Sequence, residues 1–221
     1  MEQAQKPINR TGRKFDQVLA GARDVFMRDG FEGASVDAIA RAAGVSKATL
    51  YSYFPDKRLL FMEVASSECN RQAQETLMLI DRAAPVREVL AMAARQMIGI
   101  FTSEFSQQIF RVCVAEADRF PELGRKFYES GPLTARRHLV EYLAEEAARG
   151  EVAVSDVELA ADQFLELCKA DIFARAVFGI ETRFPPEQVE RVVNGAVDVF
   201  LARYAAHKGY ATGKTLPCLG T

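Results

Sequence analysis

The sequence contains no tryptophan, two histidines and four cysteines among its 221 residues. Each shortage removes a class of chemistry. Cys69, Cys113, Cys168 and Cys218 are all more than forty residues apart. No C-x-x-C pair exists, so neither a zinc site nor a disulfide framework is expected, and no metal or other cofactor is implied. His138 stands beside Arg136, Arg137 and Glu141, which reads as a solvated helix face, and His207 lies near the end of the last helix. Without a G-x-S-x-G, H-E-x-x-H or phosphate-loop pattern, an enzyme is not expected. No run of about 18 apolar residues is present to span a membrane. The N-terminal MEQAQKPINRTGRK lacks the apolar stretch of a secretory signal, so a cytoplasmic protein is the expectation. Alternating hydrophobicity is confined to residues 151–154, too short for a sheet.

The apolar residues that are present, 49% of the chain, recur at helical spacing almost throughout. Phe15, Val18, Leu19, Ala22, Val25 and Phe26 predict a helix over about 13–29, stopped at Gly30. Ser35 and Ser46 are placed to cap two short helices separated by Gly44, the second ending at Phe54-Pro55. Longer helices are expected over 55–80, with Pro55 in the first turn, and over 85–104, 106–118, 121–150 with a break at Gly131-Pro132, 156–179 and 186–207. The fold class is all-α. Its expected division is a basic flexible arm at 1–12, a three-helix DNA-binding unit at 13–57, a helical regulatory and dimerisation domain at 58–207 and a flexible tail at 208–221.

Two short helices flank Gly44-Val45, with Ile39, Ala40, Val45, Leu50 and Phe54 spaced to face inward. This is the layout of a helix-turn-helix, whose second helix enters the major groove. Lys47, Ala48, Thr49, Tyr51 and Tyr53 fall on the outer face of that helix. Lys47 and Thr49 offer donors, Ala48 and the Thr49 methyl can meet a thymine methyl, and the tyrosine hydroxyls can reach phosphates. Ser35, Ser46 and Lys57 lie at helix starts, where phosphate is favoured. Arg10, Arg13 and Lys14 make a basic approach to the first helix. The charge distribution agrees: residues 1–60 carry ten Lys or Arg against seven Asp or Glu, although the whole chain has a net charge of −2.

The stretch FMRDGFEGASVDAIARAAGVSKATLYSYFPDKRLL, within a signature running from Ala22 to Leu60, closely resembles the TetR family of bacterial regulators, in its AcrR-like form. That resemblance implies a homodimer on a palindromic double-stranded DNA operator and a C-terminal domain whose ligand weakens DNA binding. It places the DNA contacts on Lys47, Ala48, Thr49, Tyr51, Tyr53 and Lys57. The later segment VAEADRFPELGRKFYESGP also looks like the C-terminal domain of a subgroup found near efflux and stress genes.

Beyond residue 58 the reading turns on apolar faces. The predicted helices over 156–179 and 186–207 have apolar residues enough to face both a core and a second subunit. The expected dimer residues are Phe164, Cys168, Val189, Val193, Val197 and Phe200, with Asp171 and Arg175 as a charge pair within that stripe. The pair has three readings: buried at the dimer seam, wet at its edge, or facing a ligand. Met97, Phe101, Phe105, Phe110, Phe127, Tyr128 and Phe173 are the candidate lining of a cavity for an apolar or amphipathic effector. Alternatives are an activator or global regulator with the same head, and a thiol sensor acting through Cys113 or Cys168.

Overall fold

The computed structural model describes residues 12–79 and 82–206. The basic arm with Arg10, His207, Cys218 and the 208–221 tail lie outside the described residues. Eleven helices follow one another among the described residues: α1 Arg13–Gly33, α2 Val36–Ala42, α3 Lys47–Tyr53, α4 Lys57–Leu79, α5 Val86–Thr102, α6 Glu104–Ala115, α7 Pro121–Ser130, α8 Pro132–Ala148, α9 Val157–Leu167, α10 Phe173–Val177 and α11 Pro186–Tyr204. The alternating piece after Gly150 makes a single antiparallel bridge, Val152 with Ala205, tying the start of α9's approach to the end of α11.

The capping expectations hold. The Ser35 Oγ accepts from Ala38 N at 3.1 Å and the Ser46 Oγ from Thr49 N at 3.1 Å. Between the two helices Gly44 adopts φ 64°, in the left-handed region that glycine enters without a Cβ penalty. Pro55 is a correction: α4 starts two residues later, with the Asp56 side chain accepting from Arg58 N at 2.8 Å, so the proline precedes the cap.

The helix expected over 156–179 is also corrected. It ends at Leu167, and α10 resumes only at Phe173. Asp171 takes φ 64° between them. Asp is one of the few non-glycine residues that tolerates this conformation, so no Gly or Pro marks the break.

The helices bury two apolar clusters. In one, Phe15, Val18, Ala22, Val25 and Phe26 of α1 meet Ile39, Ala40, Leu50 and Phe54, and the same cluster continues through Leu60, Phe61 and Met62 of α4 to Phe105, Ile109 and Cys113 of α6 and Leu123 of α7. The other gathers α5, α8, α9 and α11 around Phe164, Phe200, Leu90 and Ile98. Packing therefore runs through residue 57 without a break, with α6 part of the first cluster.

One ion network ties α1 to α4. The buried Glu68 carboxylate receives Arg23 Nε at 3.0 Å and the Arg71 guanidinium. The Arg71 hydrogen bond, ahead of that from Arg23, holds its pKa down to about 2. A depressed carboxylate contributes stability above its ordinary value near 4.5 and loses it as the pH falls toward 2. Glu68→Gln is expected to cost about 2 kcal/mol at pH 7, allowing for solvent at both arginines. In urea titrations, its deficit against wild type should close between about pH 5 and pH 2; a constant deficit across that range would rule out the linkage.

Candidate DNA-binding face and effector cavity

Leu50 and Phe54 anchor α3 to the core, which turns the rest of the helix outward. Lys47, Ala48 and Tyr51 are exposed there, Tyr51 by 48%. Arg13 is exposed at the start of α1, and Ser35 and Ser46 are exposed while serving as caps. Thr49 is half-buried, with its hydroxyl 2.9 Å from the Ser46 Oγ. Tyr53 is half-buried too, its ring edge-on to Phe15 at 5.8 Å. Only its far end is left to reach a phosphate.

Lys57 departs from the expectation of a free cation. Its Nζ donates to the carbonyls of Phe31 at 2.8 Å and Ala34 at 3.1 Å, and lies 4.5 Å from the centre of the Phe31 ring. Two of its three protons hold the α1–α2 connection, so the side chain braces the DNA-binding unit.

Lys47 pairs with Asp37 at 2.6 Å, and both are more than half exposed. The Asp37 hydrogen bond raises the Lys47 pKa and keeps the ammonium charged. The carboxylate also places a negative charge beside the recognition helix. Asp37→Asn is therefore expected to strengthen DNA binding several-fold, and Lys47→Ala to weaken it and lower the salt slope by about one. Fluorescence anisotropy over a salt series reads both; an Asp37→Asn protein that binds more weakly would reverse the assignment of this face.

Behind the DNA-binding unit lies a cavity of about 530 Å³. Six of the seven expected lining residues surround it: Met97, Phe101, Phe110, Phe127, Tyr128 and Phe173. The rings of Phe101 and Phe110 each meet Phe173 edge-on at 5.6 Å, and Phe110 meets Phe127 at 6.2 Å. Phe105 is the exception. It is buried against Phe61 on the opposite face of α6, in the core shared with the DNA-binding helices. The sequence reading missed the polar lining, notably Gln107 and Tyr142, because Gln107 falls in a predicted helix with no partner in the sequence to betray its burial.

The dimer stripe is corrected as well. Phe164, Cys168, Val193, Val197 and Phe200 are all buried inside the single chain. Phe164 and Phe200 pack edge-on at 5.2 Å. Val189 is half-buried against the same cluster. The five buried side chains have no surface left for a second subunit, whereas Val189 keeps part of its surface. Apolar residues that do face outward include Leu159, 50% exposed on α9, and Val199, 56% exposed on α11, with Phe178 and Ile180 exposed beyond α10.

Asp171 and Arg175 do pair, at 3.2 Å, but with 42% and 30% of their side chains exposed. Asp171 also takes Arg191 at 3.0 Å, and Arg175 takes Glu181 at 2.7 Å. In the single chain the pair belongs to a part-exposed ion network linking α10 and α11. The three described cysteines, Cys69, Cys113 and Cys168, offer little to an oxidant. Burial pushes Cys69 and Cys113 up to about 11 and Cys168 up to about 12, so the thiolate is scarce.

A helix-turn-helix at one end of an all-helical body is the arrangement of a transcriptional regulator, and the comparisons agree. Residues 18–64 match the bacterial regulatory proteins of the tetR family, and residues 88–206 match the AefR-like transcriptional repressor C-terminal domain. The chain belongs to the TetR family of transcriptional regulators, which are not enzymes. It is 30% identical to a TetR-family transcriptional regulator from Mesorhizobium loti, covering 87% of this chain and 97% of that one at a TM-score of 0.77. It is 36% identical to the flavonoid-responsive regulator FrrA, covering 89% of this chain and 100% of that one at a TM-score of 0.70. The HTH-type transcriptional repressor AcnR of Corynebacterium efficiens is 35% identical over 69 residues, 31% of this chain and 35% of that protein. The matched stretch thus spans about a third of that relative's length. No described helix is long and apolar enough to cross a membrane.

Proposed function

We propose that the protein is a dimeric repressor of transcription that leaves its operator when a small molecule enters the cavity. One observation carries this reading: α6 lines the cavity with Gln107 and Phe110 while its Phe105, Ile109 and Cys113 complete the core of the DNA-binding unit. A ligand that moves α6 must then move the core beneath α1 and α4. FrrA, similar over its whole length, is named for its response to a small molecule, which supports the same reading here.

The outward faces of α9 and α11, with Leu159 and Val199 flanked by Gly195 and Ala202, are the surface offered to a second copy. Joining two chains there would set two recognition helices about one DNA turn, roughly 34 Å, apart. Ligand would shift the population toward spacings that no longer fit both half-sites.

The test is a gel shift with the DNA immediately upstream of the coding sequence, together with sedimentation of the free protein. The expected result is a dimer that binds that DNA specifically, through a palindromic site. Failure to distinguish it from unrelated DNA at physiological salt would sink the reading as a repressor acting on its own upstream region.

A further inference from the structure

The cavity's charges and its hydrogen-bonding groups have different standings, and the difference narrows what can bind. Every charged side chain that lines it among the described residues already has an opposite charge. Arg136 holds Asp162 at 2.7 Å and Glu158 at 3.1 Å, Lys169 holds Glu166, and Arg82 reaches Glu145 at 3.3 Å. His138 faces Glu141 at 3.5 Å. A carboxylate or phosphate entering this space would find no free cation and would have to break a pair.

Two neutral polar atoms are in the opposite situation. The Gln107 Oε1 and the Tyr142 hydroxyl are buried without a hydrogen-bond partner, on residues only 5% and 4% exposed. The Gln107 amide is oriented by its Nε2, which donates to the Phe101 carbonyl. Its Oε1 is therefore fixed as an acceptor. Burial pushes the Tyr142 pKa up to about 12, so its oxygen keeps its proton and can donate or accept. Leaving such atoms unpaired costs free energy that a suitable guest recovers. The same cavity is lined by phenylalanine rings set nearly at right angles, which can offer both faces and edges to a flat guest.

We propose that the cavity takes a neutral, flat aromatic molecule bearing at least two hydroxyls, one donating to Gln107 Oε1 and another meeting the Tyr142 hydroxyl. The proposal rests on the cavity being the effector site. It also gives Gln107 a second consequence. The next residue, Gln108, lies against Gly30 at the end of α1, where an added Cβ would sit 3.3 Å from its amide. Ligand drawn to Gln107 acts on the same turn of α6 that touches the DNA-binding unit.

The test uses three probes on the full chain: apigenin, which is a trihydroxylated flavone; the unsubstituted parent flavone; and palmitate as an anionic apolar control. Isothermal titration reads affinity, and gel shift reads operator release. Apigenin is expected to bind most tightly and to release DNA. Tyr142→Phe, which removes one oxygen and keeps the shape, should weaken apigenin about three- to tenfold and leave flavone unchanged. Gln107→Leu should do the same and uncouple binding from release. Tighter binding of palmitate, equal binding of flavone and apigenin, or an unaltered apigenin affinity in both variants would each overturn the proposal. If none of the probes binds while the protein still shifts its operator, the ligand class is wrong and the repressor reading stands. A protein that binds apigenin as proposed but no DNA leaves the ligand class intact and removes the repressor reading.

Discussion

Gly21→Ala is expected to lower the stability of the DNA-binding unit by about 2 kcal/mol or more and to abolish tight operator binding. A Cβ on Gly21 would stand 2.4 Å from Ala43 N, 2.6 Å from its Cα and 2.8 Å from its Cβ. Two of these are backbone atoms at the end of α2, so no rotamer change relieves the clash. The chain must instead separate α1 from the turn that aims α3. Gly99→Ala is the control. Gly99 lies within α5 with nothing near its would-be Cβ, so alanine there should stabilise slightly through helix propensity. Thermal unfolding and gel shifts on both variants separate crowding from propensity. A Gly21→Ala protein that melts and binds like wild type would mean that α1 and α2 are not this close.

The second large effect distinguishes core from interface. Phe200→Asp is expected to give no stably folded protein. Phe200 is 1% exposed and contacts Phe164 and Tyr204 ring to ring. Truncating it leaves a cavity, and the carboxylate has no partner, so the combined loss should exceed about 4 kcal/mol. Val199→Asp, one residue earlier, should keep its helical circular dichroism spectrum and sediment as a monomer with much weakened operator binding. The two substitutions place the same carboxylate on different sides of α11, one buried and one exposed. Val199→Asp remaining a dimer at micromolar concentration would move the proposed interface elsewhere.

The DNA-binding end was legible in the sequence because its signals are local. Serine caps, a glycine in the left-handed region and inward residues at fixed spacing all act within a few positions of each other. Gly21 escaped notice because its importance depends on Ala43, which is distant in sequence and gives no sign of where it will pack. The C-terminal helices were legible as helices, yet their faces were assigned wrongly. Periodicity in α11 identifies one apolar stripe without saying whether that stripe meets the same chain or another. Val193 and Phe200 fill the chain's own core, and the outward side carries isolated apolar residues that no moment would pick out. The unbroken helix expected across Asp171 failed for a different reason, although its pairing with Arg175 is present. A helical wheel drawn across 156–179 assumes 100° per residue, and one aspartate with positive φ ends that assumption. The cavity was legible as an excess of Phe and Met. Phe105 shows the limit, since it lies two residues from Gln107 yet faces the other way.

Helix α6 has two sides with two different tasks. Phe105, Ile109 and Cys113 hold the floor under the DNA-reading helices, and Gln107 and Phe110 face the cavity. On the proposed reading, substitutions on the cavity side would change what is recognised while the other side keeps the mechanical link intact. A lineage carrying this helix would then acquire a new chemical signal one side chain at a time, with no interval in which the signal is disconnected from the gene.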